Sequence, residues 1–149
     1  NNTRVSKFIY RLYDMLVLTT KIPLFKDIIG AYWVTDRIFC IDIECFSLML
    51  NIDYNSIYNF IYGKNQFFSS HGFAEVTKFN YRIAGLDSFS EILNPKIISM
   101  FHVDQIFINK EFSTLELDDF EKKYERKHNN QHNNVLFRSK YPINSFKIL

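Results

Sequence analysis

An α+β fold is predicted for this chain, from two hydrophobic periodicities and one bend. Helical spacing places Phe8, Ile9, Leu12, Tyr13, Met15 and Leu16 on one broad face near the start, and Leu117, Phe120 and Tyr124 on a stripe near the end. Between them, "GFAEVTKFNYRIAG" alternates apolar and polar residues (Phe73, Val76, Phe79, Tyr81, Ile83), the signature of one or two half-buried strands with a break near Lys78-Phe79-Asn80. The bend lies in "CFSLMLNIDYNSIYNFIYG", Cys45 to Gly63, where Asn51 interrupts two short helical patterns.

In chain order, a first helix is expected over about Arg4 to Leu18, with Arg4, Lys7, Arg11 and Asp14 on its wet side. Pro23 breaks it, and "LFKDIIG" adds a short helical turn closed by Gly30. "AYWVTDRIFCID" carries aromatic and β-branched residues around the turn-like Thr35-Asp36, which predicts a small hairpin. Asp42 is an N-cap for the next helix, with Glu44 in its first turn, and the helix runs to Leu50. Asn51 tolerates the left-handed conformation that stops a helix. A further helix opens at Tyr54 or Asn55 and ends at Gly63. Beyond the alternating stretch, Ser88-Phe89-Ser90-Glu91 is a capping box for a short helix and Pro95 can begin another. "HVDQIFIN" reads as a strand, and Ser113-Thr114-Leu115-Glu116 is a second capping box opening a helix through about Lys127. Its Asp118–Lys122 and Asp119–Lys123 spacings suit pairs along a solvated face.

Composition narrows the function. The 149 residues suit one domain with a tail, and the chain opens on Asn1 rather than Met, as an excised domain would. No apolar run approaches the roughly 18–20 residues that cross a bilayer, and no secretory leader is visible, so no membrane partner is expected. Cys40 and Cys45 read as free thiols, not a disulfide framework. His128 and His132 share helical spacing, but they sit in "KHNNQHNN" and lack the further ligands a zinc site needs; no metal or cofactor is expected. His71 and His102 stand alone and read as structural. Neither a nucleophile–base motif nor a Gly-rich phosphate loop is present, so an enzyme with a small-molecule substrate is not expected. The abundant Phe, Tyr, Asn, Ile and Lys all have AT-rich codons, which weakens any argument resting on aromatic counts alone. Charge is segregated: residues 1–82 hold a net +2, residues 83–121 a net −6 and residues 122–149 a net +6.

Around Asn51, Phe46 and Leu50 precede the bend, Ile52 sits at the corner, Ile57 and Phe60 follow, and Ser47 is small. Two helices crossing steeply need this spacing, with apolar residues on the shared side and one small residue where the backbones approach: a helix-turn-helix. A preceding helix, a strand pair before the second helix and an alternating hairpin after the third extend it to a winged helix-turn-helix, a three-helix core with a small antiparallel wing, plus additional C-terminal helices. Residues 1–83 would form that core, 84–127 a helical extension packed on it, and 128–149 a polar basic tail.

The order "FIYRLYDML", "IIGAYWVTDRIFCIDIECFSLML", a short helix and "HGF" resembles heat-shock-factor-like DNA-binding domains. More closely, "YWVTDRIFCIDIECFSLMLNI…HGF" resembles the transcription-initiator-binding domain of trichomonad-type protists, over about residues 7–83. "GKNQFFSS" before "HGF" departs from the heat-shock-factor pattern, in which the helix runs directly into Tyr-Gly-Phe. The resemblance implies binding of initiator elements at transcription start sites, with the third helix as reader, and hence a place in the nucleus. From the residues themselves, Ile57 and Phe60 face inward, with Ile61 beside them, leaving Tyr54, Asn55, Tyr58, Asn59 and Tyr62 outward. Asn pairs bidentately with adenine, and Tyr reaches phosphates and thymine methyls. Arg37, Lys64, Lys78 and Arg82 flank that face and suit phosphates of double-stranded DNA. Asp53 at its edge either repels phosphate or accepts from cytosine. The alternative reading is a protein–protein module, contacting transcription machinery or a second copy through the tyrosine-rich helix.

Overall fold

Gly30 and Asn51, both in the left-handed region, punctuate the first half of the fold. The computed structural model describes residues 8–62, 67–89 and 96–128. Helix α1 (Phe8–Lys21) leads through a 3-10 turn (Pro23–Phe25) into the single-turn helix α2 (Lys26–Ile29). Gly30 (φ 77°) closes α2 and sends the chain into β1 (Ala31–Trp33). The Thr35 hydroxyl accepts from the Arg37 and Ile38 amides at 3.1 and 2.9 Å, which tightens the turn into β2 (Ile38–Asp42). Then come α3 (Ile43–Leu50), α4 (Tyr54–Tyr62), the short α5 (Phe67–Ser70), β3 (Phe73–Glu75), β4 (Ile97–His102) and α6 (Thr114–His128).

The described residues thus form an α+β fold with one four-stranded antiparallel sheet in the order β1-β2-β4-β3. Strand alternation gives the sheet two differently covered faces. Phe39, Ile41, Phe73, Ile98 and Met100 project onto the helices and join Leu12, Phe46, Ile57 and Phe120 in the main core. Ile38, Ala74 and Phe101 project the other way, where Ala84, Val76 and Leu86 of the segment after β3 cover them.

Three expectations change. The alternating stretch keeps only Phe73–Glu75 as strand, and turns follow. The Asn80 side chain is the reason: its Oδ1 accepts from the Thr77 amide (2.7 Å) and its Nδ2 donates to the Glu75 carbonyl (2.9 Å), capturing groups a hairpin ladder would use. The helix expected from Pro95 gives way to β4, whose β-branched and aromatic residues pair with both β2 and β3. "HVDQIFIN" leaves the sheet at His102 instead of forming a strand of its own. The capping box at Ser88 reaches into residues outside the described ones, as do Lys64 and the side chain of Tyr58.

The second capping box closes as expected. The Ser113 amide donates to Glu116 Oε1 (2.9 Å) and the Glu116 amide to Ser113 Oγ (3.1 Å). Leu117, Phe120 and Tyr124 are buried, so α6 lies on the main core. Asp118, expected on a solvated charged face, instead accepts from the Tyr10 hydroxyl of α1.

Candidate nucleic-acid interface

Every part of the α3–α4 corner has a local cause. Asp42 caps α3, its Oδ1 accepting from the Cys45 amide at 3.3 Å. Asn51 (φ 56°) ends α3, and the Ile52 amide folds back onto the Ser47 carbonyl at 2.9 Å. Ser47 is buried, its hydroxyl donating to the Glu44 carbonyl (2.8 Å), which leaves room for α4 to approach. Phe46 and Ile57 are buried, and Leu50 and Ile52 pack half-buried beside them. Asp53 serves the fold directly, because its carboxylate accepts from the Asn55 amide (3.1 Å) and satisfies an orphan donor at the start of α4.

Burial of Ile57 and Ile61, each about 2 kcal/mol, sets the rotation of α4. Tyr54, Asn55 and Asn59 consequently lie exposed. Tyr62, expected outward, is half-buried instead, and its hydroxyl donates to Glu75 Oε1 at 2.8 Å.

The expected cations divide between two turns. Arg37, half-buried, sits in the β1–β2 turn, and a Cβ placed on Gly85 would lie 3.4 Å from its Cδ and Nη1. Lys78 and Arg82 are exposed in the turns after β3. Arg82 Nε donates to the Tyr81 hydroxyl (3.2 Å), and Lys78 Nζ stands 5.9 Å from the Phe79 ring centroid. The Arg37 side chain thus lies beside Gly85, whose amide donates to the Arg82 carbonyl (3.1 Å), and among the described residues none of the three cations is in an ion pair. They connect to α4 through Glu75, which meets Tyr62 by its side chain and Asn80 by its carbonyl.

Burial pushes the Glu75 carboxyl above its ordinary 4.5, and the Tyr62 hydroxyl only partly offsets this. The folded chain therefore holds this proton more tightly than the unfolded one. Stability from Glu75 is greatest in acid and is lost as pH rises from the ordinary carboxylate range through the raised value. Glu75→Gln should consequently raise Tm above that window and leave it nearly unchanged below. Thermal melts across the acid range check the sign.

Sequence reasoning missed Glu75 and Asn80 as connectors, and it missed a buried pair. Glu121, counted among the acids of the negative segment, is buried between helices: Oε2 accepts from the Ile9 amide (2.9 Å) and Oε1 meets His71 Nε2 (3.0 Å). His71 and His102 are each hydrogen-bonded, His102 through the His71 carbonyl and the Asp104 amide. Cys40 and Cys45 are free thiols, and burial pushes both above their usual range. Among the described residues no group of three or more His, Cys, Asp or Glu side chains could hold a metal ion, and no helix is long and apolar enough to cross a membrane. Tyr13, Thr20, Lys21, Trp33, Lys110 and Glu111 line a cleft in which the Tyr13 hydroxyl accepts from the Phe112 amide, the Thr20 hydroxyl donates to the Leu16 carbonyl and Lys110 pairs with Glu116.

No curated protein and no solved structure matches the chain. The family model of the transcription-initiator DNA-binding domain, IBD, matches residues 1–91, a span that includes α1 to β3, the α3–α4 corner and the turns bearing Arg37, Lys78 and Arg82. IBD is a family of DNA-binding domains in transcription and not of enzymes. With more than half its length matched, this chain belongs to the transcription-initiator DNA-binding domain family.

Proposed function

We propose that the chain is a winged helix that binds double-stranded DNA sequence-specifically at initiator-like promoter elements in the nucleus. In this reading α4 enters the major groove and cations from the two turns hold phosphates. Family membership supports DNA as partner and transcription as context. The observation that carries the finer reading is the pair Asn55 and Asn59: four residues apart, they lie exposed on the same side of a helix whose Ile57 and Ile61 are buried. An Asn amide matches adenine N6 and N7, and the major groove admits one helix. Exposed Tyr54 extends the reading face toward thymine methyls and phosphates, and helical spacing assigns Tyr58 to the same role. Arg37, Lys64, Lys78 and Arg82 supply sequence-independent affinity. Residues 1–83 carry these contacts, 84–127 brace them, and 128–149 form a polar basic tail.

Selection from randomised duplex pools, followed by salt titrations, tests this. Asn59→Ala should relax preference at one base pair by about 1–3 kcal/mol. Lys78→Ala and Arg82→Ala should weaken binding to all duplexes alike, each reducing the salt slope by about 1. A pool that enriches no motif removes the sequence-specific claim.

A protein–protein role is the second reading. Exposed Leu48 and Met49 on α3, with Leu24 and Ile28 beyond α1, favour it. Sedimentation of the free chain separates the two: a tight dimer without duplex affinity decides for self-association.

A further inference from the structure

We propose that Tyr62 and Glu75 are positioning residues, which hold the cation-bearing turn at a set place against α4 so that both engage one duplex together. This rests on the DNA-binding reading above and removes Tyr62 from the direct contacts.

The turn has no regular secondary structure of its own. Its shape comes from Asn80, which is only 2% exposed and bonds the Thr77 amide and the Glu75 carbonyl with its side chain. The Ile83 and Ala84 amides in turn donate to the Asn80 carbonyl (3.0 and 3.2 Å). Lys78 and Arg82 are therefore carried on a frame that begins at Glu75. The same Glu75 receives the Tyr62 hydroxyl at 2.8 Å from the last turn of α4. Along the chain, helix and turn are joined only through the residues between Tyr62 and β3; the Tyr62–Glu75 bond makes a direct link between them.

A hydrogen bond from a phenol to a half-buried carboxyl oxygen is directional, so it restrains angle as well as distance. The consequence for binding is geometric. A major-groove reader and phosphate-holding cations act together only when their spacing matches the duplex, and an unrestrained turn must be ordered at each binding event.

Four chains test this: the native one, Tyr62→Phe, Glu75→Ala and Glu75→Gln. Two quantities are measured, amide hydrogen exchange at Thr77 and Ala84 in the free protein, and affinity against salt for a duplex enriched from the randomised pool. Tyr62→Phe and Glu75→Ala should speed exchange in the turn, weaken duplex affinity about five- to tenfold and lower the salt slope by about 1. Glu75→Gln keeps a carbonyl oxygen for the Tyr62 hydroxyl and should restore native affinity and slope. A purely stabilising role would lower Tm in the first two variants but leave the salt slope of the folded chain unchanged.

If Tyr62→Phe has native exchange in the turn and a native salt slope, the positioning role is wrong while the DNA reading stands. If the native chain binds no duplex, the DNA reading falls and this proposal falls with it.

Discussion

Gly30→Ala should lower stability by about 4 kcal/mol, roughly a 10–15 °C drop in Tm for a chain of this size. Two causes add. Gly30 has φ 77°, a conformation that costs an L-residue with a Cβ about 1–2 kcal/mol. The added carbon would also lie 2.7 Å from the Phe46 amide nitrogen, 2.8 Å from Cys45 Cβ and 2.9 Å from the Asp42 carbonyl oxygen. Two of those three atoms are backbone at the start of α3, so relief requires moving the helix that supports α4. Gly85→Ala is the control: φ is 95°, but only the flexible Arg37 side chain lies near, at 3.4 Å. It should cost only the backbone term. Thermal melts of both variants check the difference, and equal losses would show that the α3 contact carries no weight.

Glu121→Ala should cost about 3 kcal/mol, because it leaves the buried Ile9 amide and the His71 imidazole without their acceptor at once. The Ile9 amide of α1 is thus held by a carboxylate 112 residues away in sequence, which ties α6 to α1. Glu121→Gln keeps an oxygen for Ile9 and should lose about half as much. Chemical denaturation gives the magnitudes. Hydrogen exchange at Ile9 locates the effect: it should accelerate in Glu121→Ala and stay slow in Glu121→Gln.

The two sites differ in how visible they were in advance. Gly30 stands after a short helical pattern and before an aromatic, β-branched run, so its role as a helix stop was readable; that α3 would press against it was not. Glu121 carried no local signal at all. It lies one position after Phe120 on an amphipathic helix, in a run of charges that looks solvated, and only the arrival of α1 buries it. Tyr62 is a similar case. Helical spacing placed it with Tyr54 and Asn55, but Glu75 lies close enough to draw its hydroxyl inward.

Taken alone, the sequence determined what short-range stereochemistry controls. Asp42 and Ser113 start helices by accepting amide protons within the next few residues, Asn51 stops one by turning left-handed, and apolar spacing decides which side of α1, α4 and α6 is dry. Tertiary structure alone decided that Ile97–His102 becomes the strand between β2 and β3, that Asn80 replaces a ladder with turns, and that Glu75 joins the helix to the cations. Those outcomes depend on partners distant in the chain. A strand's pairing and a carboxylate's burial are set by whatever surface the rest of the chain brings against them, and no local propensity encodes that surface.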